Sequence, residues 1–134
     1  MNIAFLGAGR IAHVLAKTMV RMPEVTLYAV AARDLDRAQA FASQYGFAKA
    51  YGSYAEMLSD PAVELVYIAT PHSHHAQHMK LCIEYGKNVL CEKAFTLNAA
   101  QAREVAALAM EKGVYVAEAI WTRYMPSRQI INDL

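Results

Sequence analysis

The sequence predicts an α/β domain with a doubly wound parallel sheet, that is, a sheet that carries helices on both faces. Short apolar runs alternate with alanine-rich stretches of helical character along the 134 residues. Most of the apolar runs are continuous, which is typical of strands buried on both faces of a parallel sheet. Strands and helices that alternate at this spacing form a doubly wound sheet.

Apolar runs, capping residues and glycines define the predicted elements. The strands are predicted at residues 3–6, 25–32, 64–70, 88–91 and 114–119. The helices are predicted at residues 10–22, 34–45, 53–59, 73–85 and 98–112. Two of these helices begin with a capping box, Ser53 with Glu56 and Asn98 with Gln101. Glycines that should end helices are Gly46, Gly86 and Gly113.

The composition argues against several classes of partner. Hydrophobic residues make up 56% of the chain and charged residues 19%, so the chain is too apolar to be disordered. The 13 basic residues are balanced by 12 acidic residues, for a net charge of +1. Because nucleic acids and anionic membranes attract basic surfaces, we expect neither as a partner.

The N-terminus and the cysteines indicate the compartment. The first apolar run, residues 3–6, is too short for a signal peptide or a membrane span, so we expect a cytoplasmic protein. Cys82 and Cys91 are the two cysteines of the chain. They form neither a disulfide framework nor a metal-binding pair of motifs, and we expect two buried free thiols.

The first chemical motif lies directly after the first predicted strand. Residues 7–12 read Gly-Ala-Gly-Arg-Ile-Ala, which matches the pattern G-x-G-x-x-A and opens a predicted helix. In this pattern Gly7 and Gly9 permit a tight turn and the close approach of a pyrophosphate, whose charge the helix N-terminus stabilises. The motif therefore predicts a Rossmann-type dinucleotide-binding domain. A glycine-rich turn without a ligand and a site for another nucleotide are the alternatives.

The end of the second predicted strand indicates which dinucleotide binds. NAD-specific sites usually carry an acidic residue there for the ribose 2′-hydroxyl, whereas this chain has Ala32. Arg33 and Arg37 follow, and two guanidinium groups can bind a 2′-phosphate through charge-assisted hydrogen bonds. The sequence therefore favours NADP(H), with NAD(H) possible. The alternative is a solvated helix start capped by Asp34.

Four histidines within seven residues suggest a metal site at first sight. They are His72, His74, His75 and His78. His74 and His78 have the spacing of two ligands on one helix, but no acidic residue or cysteine accompanies them. We therefore predict no metal site here, and we expect Ser73 to cap the helix.

Glu92 and Lys93 follow the strand predicted at residues 88–91. They lie at the carboxyl end of that strand, the edge where ligands of such sheets bind. A lysine beside a nicotinamide can transfer the proton that accompanies hydride transfer, so Lys93 is a candidate catalytic residue. The alternative is an ordinary charged residue in a loop.

These motifs, taken in order, resemble the N-terminal half of the Gfo/Idh/MocA oxidoreductase family. Within that family the chain is similar to the branch of dihydrodiol dehydrogenases and NADP-dependent xylose dehydrogenases. The segments that carry the resemblance are residues 7–12, residues 31–34 with Arg37, Thr70-Pro71 with His75, Glu92-Lys93, and residues 118–126.

The resemblance implies a cofactor site built from several segments. On the adenosine side, the implied pyrophosphate and 2′-phosphate residues are Gly7, Gly9, Arg10, Ile11, Ala32, Arg33 and Arg37. On the ribose and nicotinamide side, the implied residues are Thr70, Pro71, His72, His75, Glu92, Lys93, Trp121 and Arg123. Lys93 matches the family's catalytic lysine, although Ala94 stands where the family usually has proline.

The length of the chain suggests that only part of such an enzyme is present. We expect residues 1–120 to form the dinucleotide-binding domain and residues 121–134 to begin a C-terminal substrate and dimerisation domain that is otherwise absent. The resemblance implies a sugar or trans-diol substrate and a homo-oligomer, and we expect this chain by itself to be inactive. The alternatives are a non-catalytic NAD(P)-binding module or sensor, and a Rossmann-like transferase that uses S-adenosylmethionine.

Overall fold

The computed structural model describes residues 1–133, and within them six strands form one sheet. These strands are β1 (Asn2–Leu6), β2 (Thr26–Ala31), β3 (Lys49–Tyr51), β4 (Leu65–Ile68), β5 (Asn88–Cys91) and β6 (Val116–Glu118). All neighbouring strands are parallel, and their order is β3-β2-β1-β4-β5-β6. The predicted doubly wound parallel sheet is confirmed.

The strand order reverses at β1, in the middle of the sheet. The chain adds β2 and β3 on one side of β1 and then β4, β5 and β6 on the other. In open sheets of this kind, ligands bind beyond the carboxyl ends of the strands at the point of reversal. A row of paired residues marks that edge, namely Ala31, Leu6, Ile68, Cys91 and Glu118.

Strand β3 is not among the strands that the sequence predicts. It has three residues, Lys49-Ala50-Tyr51, and all of them are partly or fully exposed. The strand lies at the edge of the sheet and pairs with β2. Because an edge strand is not buried on both faces, it needs no continuous apolar run, and the apolar pattern contains no signal for it.

The helices cover both faces of the sheet. They are α1 (Arg10–Met19), α2 (Leu35–Tyr45), α3 (Tyr54–Ser59), α4 (His75–Glu84), α5 (Ala99–Lys112) and α6 (Ser127–Asn132). The predicted caps Ser53 and Asn98 accept backbone hydrogen bonds from the first turns of α3 and α5. Gly46 and Gly113 end α2 and α5 in the left-handed conformation that glycine favours. Among residues 1–133, no helix combines the length and the apolar character needed to cross a lipid bilayer.

Two helix boundaries differ from the prediction. Helix α1 ends at Met19, before residue 22, because the chain continues in tight turns ahead of Pro23. Helix α4 begins at His75, and a short 3₁₀ turn, His72–His74, precedes it. The expectation that Ser73 caps α4 is wrong: its hydroxyl lies 3.0 Å from Nδ1 of His74. The turn arises because the backbone N–H of His74 bonds to the carbonyl three residues earlier.

Two apolar cores lie on opposite faces of the sheet, and β1 contributes to both. Ile3 and Phe5 pack with apolar residues of α1 and α2. Ala4 and Leu6 pack with apolar residues of α3, α4 and α5. This two-sided burial explains why the central strands have continuous apolar sequences.

Both cysteines belong to the second of these cores. Cys82 lies on α4 and Cys91 on β5, and both are free and fully buried. Burial raises the pKa of each thiol to about 12. The prediction of two buried free thiols is confirmed, and at neutral pH both are protonated and unreactive.

The last part of the chain packs against little of the domain. After β6 it forms a 3₁₀ turn, Trp121–Tyr124, and then α6, and every described residue from 121 to 133 is exposed. The predicted segment 121–134 is described up to residue 133, and Leu134 lies outside the described residues.

Candidate functional site

A cavity of about 810 Å³ opens at the carboxyl edge of the sheet, beside the point where the strand order reverses. Nine of the sequence-predicted site residues line it: Gly7, Gly9, Arg10, Ile11, Ala32, Arg33, Arg37, Thr70 and Pro71. The remaining lining residues are Ala8, Asp34, Tyr54, Ala69, His74 and His78. The cavity thus brings the adenosine-side residues together with the first part of the loop that follows β4.

The turn between β1 and α1 forms the floor of this cavity. Gly7 has φ of +105°, a conformation that residues with a side chain rarely adopt. A Cβ atom on Gly7 would lie 3.1 Å from Cγ2 of Thr70 and 3.2 Å from the carbonyl oxygen of Ala69. Only glycine therefore lets this turn lie so close to the loop after β4.

Gly9 plays a different part in the same turn. A Cβ atom there would lie 3.7 Å from the carbonyl oxygen of Ala69, which is an ordinary contact. The protein itself therefore has room for a side chain at this position. Because Gly9 is the N-cap of α1, the absence of a side chain leaves the free amides of the first helical turn open to a ligand.

The two arginines of the cavity differ in their contacts. Arg37, on α2, donates hydrogen bonds from Nε and Nη2 to the carbonyl oxygen of Ala8, at 3.2 and 2.9 Å. Arg33 also lines the cavity, and both arginines are exposed. Burial raises the pKa of the Tyr54 phenol, and the positive charges of Arg33 and Arg37 oppose this shift. Both arginines and Tyr54 thus line the same cavity.

Aromatic side chains form part of the cavity wall. The ring of Tyr54 meets the ring of His78 edge-on, with 5.1 Å between the ring centres. The ring of His74 stacks on the ring of His78, with 5.6 Å between the ring centres. Nδ1 of His78 lies 2.9 Å from the hydroxyl of Thr70. Burial lowers the pKa of His78 to about 4, and the nearby His74 and His75 contribute to the shift. His78 is therefore neutral at physiological pH.

Within residues 1–133, no group of three potential metal-binding side chains converges, at these histidines or elsewhere. The sequence points to His74 and His78 only as possible metal ligands and carries no signal at Tyr54. Their shared position in the cavity wall depends on the tertiary contact between Tyr54, at the start of α3, and His78, on α4. The sequence contains no spacing signal for that contact.

The loop after β5 carries Glu92 and Lys93 and is fixed by side chains from other elements. The hydroxyl of Tyr67, on β4, donates a hydrogen bond to Oε1 of Glu92 at 2.7 Å. Oε1 of Glu118, on β6, accepts a hydrogen bond from the backbone N–H of Phe95 at 2.7 Å. The peptide bond between Lys93 and Ala94 is cis. The Lys93 residue itself is exposed.

His75 lies between this loop and the loop after β4. It is fully buried, and its Nδ1 lies 2.8 Å from the carbonyl oxygen of Ala94. Its Nε2 lies 2.8 Å from the carbonyl oxygen of Thr70. The His75 ring therefore lies between two loops of the backbone, can donate from one nitrogen in its neutral form, and does not line the cavity.

The other predicted residues of the nicotinamide side also lie outside the cavity wall. The structure describes all five of these residues, which are His72, Glu92, Lys93, Trp121 and Arg123. The loop that carries Glu92 and Lys93 nevertheless leaves the same edge as the glycine turn. Leu6 pairs with Ile68, and Ile68 pairs with Cys91, so these three residues form one row across the sheet. Gly7 comes directly after Leu6 and Glu92 directly after Cys91, so both leave the sheet from this row.

The fold and the glycine turn agree with a comparison to known families. Residues 1–120 match the Gfo/Idh/MocA family, described as an oxidoreductase family with an NAD-binding Rossmann fold. The chain belongs to this family. The resemblance seen in the motifs is thereby confirmed, and so is the Rossmann-type fold.

Relatives within the Gfo/Idh/MocA family include dehydrogenases of small molecules. The chain is 44% identical over 131 residues to mouse trans-1,2-dihydrobenzene-1,2-diol dehydrogenase, an alignment that covers 96% of this chain and 39% of the relative. It is 56% identical over 87 residues to D-xylose 1-dehydrogenase (NADP(+)) of Hypocrea jecorina, which covers 65% of this chain and 22% of the relative. The chain therefore spans less than half the length of these relatives.

Two solved structures of longer proteins are similar in fold to this chain. KijD10, a 3-ketoreductase from Actinomadura kijaniata solved with NADP, superimposes with a TM-score of 0.94 at 27% identity, over 99% of this chain and 42% of that protein. An NAD-binding oxidoreductase from Klebsiella pneumoniae gives a TM-score of 0.86 at 33% identity, over 99% of this chain and 39% of that protein.

Proposed function

We propose that this chain is the NADP(H)-binding part of an oxidoreductase that transfers a hydride between a sugar or trans-diol hydroxyl and a nicotinamide. The observation that carries the proposal is the shared edge of the sheet. The glycine turn, the arginines after β2 and the Glu92-Lys93 loop all follow the row of strand ends that contains Leu6 and Cys91. In this proposal residues 1–120 bind the dinucleotide, and residues 121–134 begin the substrate domain.

The cavity fits a dinucleotide in size and in chemistry. Its volume of about 810 Å³ lies within the range of about 300–1,000 Å³ that is typical of small-molecule sites. In the proposal, the turn residues Gly7 and Gly9 and the amides of Arg10 and Ile11 bind the pyrophosphate. Thr70 and Pro71 border the ribose.

The preference for NADP(H) rests on the end of β2. Position 32, where NAD-specific sites usually carry an acidic residue, is a buried alanine. No carboxylate at this position therefore repels a 2′-phosphate. Asp34 follows, but its carboxylate accepts a hydrogen bond from the backbone N–H of Asp36 and caps α2. Arg33 is exposed and able to reach a phosphate. The relation to an NADP-dependent xylose dehydrogenase supports the same preference.

The chemistry of the proposed reaction divides between cofactor and protein. The nicotinamide, when bound, supplies the hydride-transfer chemistry. Nζ of Lys93 takes the hydroxyl proton when substrate is oxidised and returns it when the product carbonyl is reduced. Tyr67, His75 and Glu118 hold the loop that carries Lys93, through the contacts described above.

We further propose that this chain alone turns over little substrate. The relatives are more than twice as long, and the walls that orient a substrate would come from the part that this chain does not span. Orientation contributes about 7–11 kcal/mol to lowering a barrier. Lys93 is exposed, so it can assist only a substrate that other residues hold in place.

Self-association is a further part of the proposal. Apolar side chains of the segment after β6 are largely exposed, with Trp121 at 63% and Tyr124 at 79%. Monomeric proteins rarely expose contiguous apolar surface of this kind, so we propose that the segment mediates a homo-oligomer. Light scattering should show more than a monomer at high concentration, and a clean monomer would contradict this.

A non-catalytic NAD(P)-binding module or sensor is the second candidate. Lys93 does not line the cavity, and a module that binds NAD(P) without catalysis needs no lysine there. Calorimetric titration with NADPH and NADH tests what the two candidates share, and saturable binding with tighter NADPH is expected. A parent protein of full family length then separates them. Turnover of sugars or diols that is lost on Lys93→Met, with NADPH affinity kept, supports the enzyme, and no turnover supports the sensor.

A further inference from the structure

Arg37 is already bonded to the glycine turn before any phosphate is present. We propose that Arg37 is a positioning residue for this turn, which serves NADP(H) and NAD(H) equally, and that Arg33 recognises the 2′-phosphate. The inference rests on the dinucleotide-binding function proposed above. It differs from the sequence-based expectation, in which both arginines hold the 2′-phosphate.

The contact uses one edge of the Arg37 guanidinium group. Nε and Nη2 lie on the same edge, and both donate to the carbonyl oxygen of Ala8, at 3.2 and 2.9 Å. Ala8 lies 29 residues earlier in the chain, so the bond joins α2 to the turn before α1. A guanidinium group has five N–H donors, and this arrangement occupies two of them. The contact is therefore a specific one and fixes the orientation of the arginine.

The bond also fixes the orientation of a peptide group that faces the cavity. The carbonyl of Ala8 and the N–H of Gly9 belong to one trans peptide unit, in which the two groups point in opposite directions. When Arg37 holds the carbonyl, it also determines the direction of the Gly9 N–H. Gly9 has no side chain to restrict its backbone, so a contact from outside the turn has a large effect on its conformation.

This peptide lies where the pyrophosphate would bind. Gly9 is the N-cap of α1, and the amides that follow it have no partners within the helix. Those amides are the donors that a helix N-terminus offers to an anion. Both NAD(H) and NADP(H) contain the pyrophosphate, whereas only NADP(H) contains the 2′-phosphate. A residue that orients the turn must therefore act on both cofactors.

Arg33 has the properties expected of the 2′-phosphate residue. It comes directly after Ala32, at the carboxyl end of β2, where ribose recognition takes place in such folds. Arg33 and Arg37 both line the cavity and both are exposed, but within residues 1–133 only Arg37 bonds to the glycine turn, so Arg33 can move to a phosphate without breaking that turn. The two arginines thus divide the recognition of the cofactor between them.

Three matched arginine variants test this division in the 134-residue chain. Arg37→Met should weaken the binding of NADPH and of NADH by a similar factor of about tenfold, the effect of losing two hydrogen bonds. The ratio of the two affinities should therefore stay unchanged. Arg33→Met should weaken the binding of NADPH and leave that of NADH unchanged. Arg103→Met, on the exposed side of α5, removes the same charge far from the cavity and should change neither affinity.

The outcomes of the calorimetric titrations are distinct. Loss of NADPH affinity in Arg37→Met with NADH affinity unchanged would overturn the inference, because Arg37 would then act on the 2′-phosphate. A wild-type chain that binds neither cofactor would overturn the proposed function, and this inference with it. Equal loss for both cofactors supports the positioning role.

A lysine variant separates the geometry of Arg37 from its charge. Arg37→Lys keeps the charge, but an ammonium group cannot place two donors of a planar edge on one carbonyl. NADH affinity should therefore stay as low as in Arg37→Met, and full recovery would contradict the proposal. In the unliganded wild type, NMR should show the Nε–H of Arg37 protected from exchange with water relative to that of Arg33. Equal exchange would also overturn it.

Discussion

The hydroxyl of Tyr67 donates a 2.7 Å hydrogen bond to Oε1 of Glu92 and so joins a fully buried strand residue to the loop that carries Lys93. Burial, together with this bond to the carboxylate, raises the pKa of Tyr67 far above its usual value. The phenol therefore stays protonated at neutral pH and well into the alkaline range. Glu92 keeps its donor, and the loop keeps one of its anchors.

Replacement of Tyr67 by phenylalanine should destabilise the domain without changing its packing. The variant removes the donor to Glu92 and keeps the ring that contacts Phe5 at 4.9 Å. Hydrogen bonds to charged groups contribute about 1.5–3 kcal/mol, and we expect a loss of that size in the free energy of unfolding. Urea unfolding measures it. Tyr85→Phe, at an exposed position, is the control and should be neutral.

The two glycines of the turn should respond differently to alanine. Gly7→Ala places a Cβ 3.1 Å from Thr70 at a φ of +105°, so it should reduce stability by about 1–3 kcal/mol. Gly9→Ala makes only an ordinary contact at 3.7 Å and should keep nearly full stability. It should nevertheless lose dinucleotide affinity, because Gly9 is the N-cap of α1 and a methyl group there would crowd a pyrophosphate at the free amides of the first turn. Thermal unfolding and calorimetry, done on both variants, check the contrast, and equal stability losses would contradict it.

His78 should make the stability of the domain depend on pH. Its pKa is lowered to about 4 in the folded state, against about 6.5 in an unfolded chain. The unfolded state therefore binds more protons between these values, and stability should fall as the pH drops from about 6.5 to 4. Since His78 is only partly buried, we expect about 1–2 kcal/mol over this range.

Urea unfolding at pH 7.5 and at pH 5 measures this effect. His78→Gln cannot be protonated and should lose most of the difference between the two pH values. His74→Gln, at the exposed neighbouring ring, should keep most of it, because burial is a larger cause of the pKa shift of His78 than the charge of His74. If His78→Gln retained the full pH dependence, another group would have to be its source.

Loss of the His75 ring nitrogens should weaken the link between the loops after β4 and β5. A neutral imidazole has one N–H, so it donates to one of the two facing carbonyl oxygens, that of Thr70 or that of Ala94. His75→Leu removes this donor, and because an unsatisfied buried polar group costs about 1–3 kcal/mol, we expect a loss of that size in the free energy of unfolding. Chemical denaturation measures the loss. His72→Leu, at an exposed position, should be close to neutral, and similar losses in both variants would contradict the bridging role.

Local features of the fold could be predicted because each depends on neighbours in sequence. The central strands follow from continuous apolar runs, and the starts of α3 and α5 from their capping residues. Strand β3 could not be predicted, since only its pairing with β2 makes Lys49–Tyr51 a strand. The 3₁₀ turn before α4 likewise has no periodic pattern to indicate it.

The candidate site divides in the same way. The residues of the glycine turn and Arg33 are adjacent to strand ends, so their place in the cavity could be inferred from the motifs. Tyr54 and His78 reach the cavity on different helices and meet only through tertiary packing. The bond from Arg37 to Ala8 is of the same kind. Single-sequence reasoning identifies the residue types but cannot determine which of them touch.

The position of β1 in the middle of the sheet has a consequence for how the domain folds. Ile3 pairs with Leu27 on one side and with Leu65 on the other, so the pair on that second side is 62 residues apart in the chain. Closing so long a loop is entropically unfavourable, and topologies rich in such distant pairs fold slowly. During synthesis, β1 and β2 can associate early, but the second edge of β1 stays open until β4 has left the ribosome. The turn at Gly7, which needs the loop after β4 beside it, is therefore completed late, and the cofactor site is among the last parts of the domain to form.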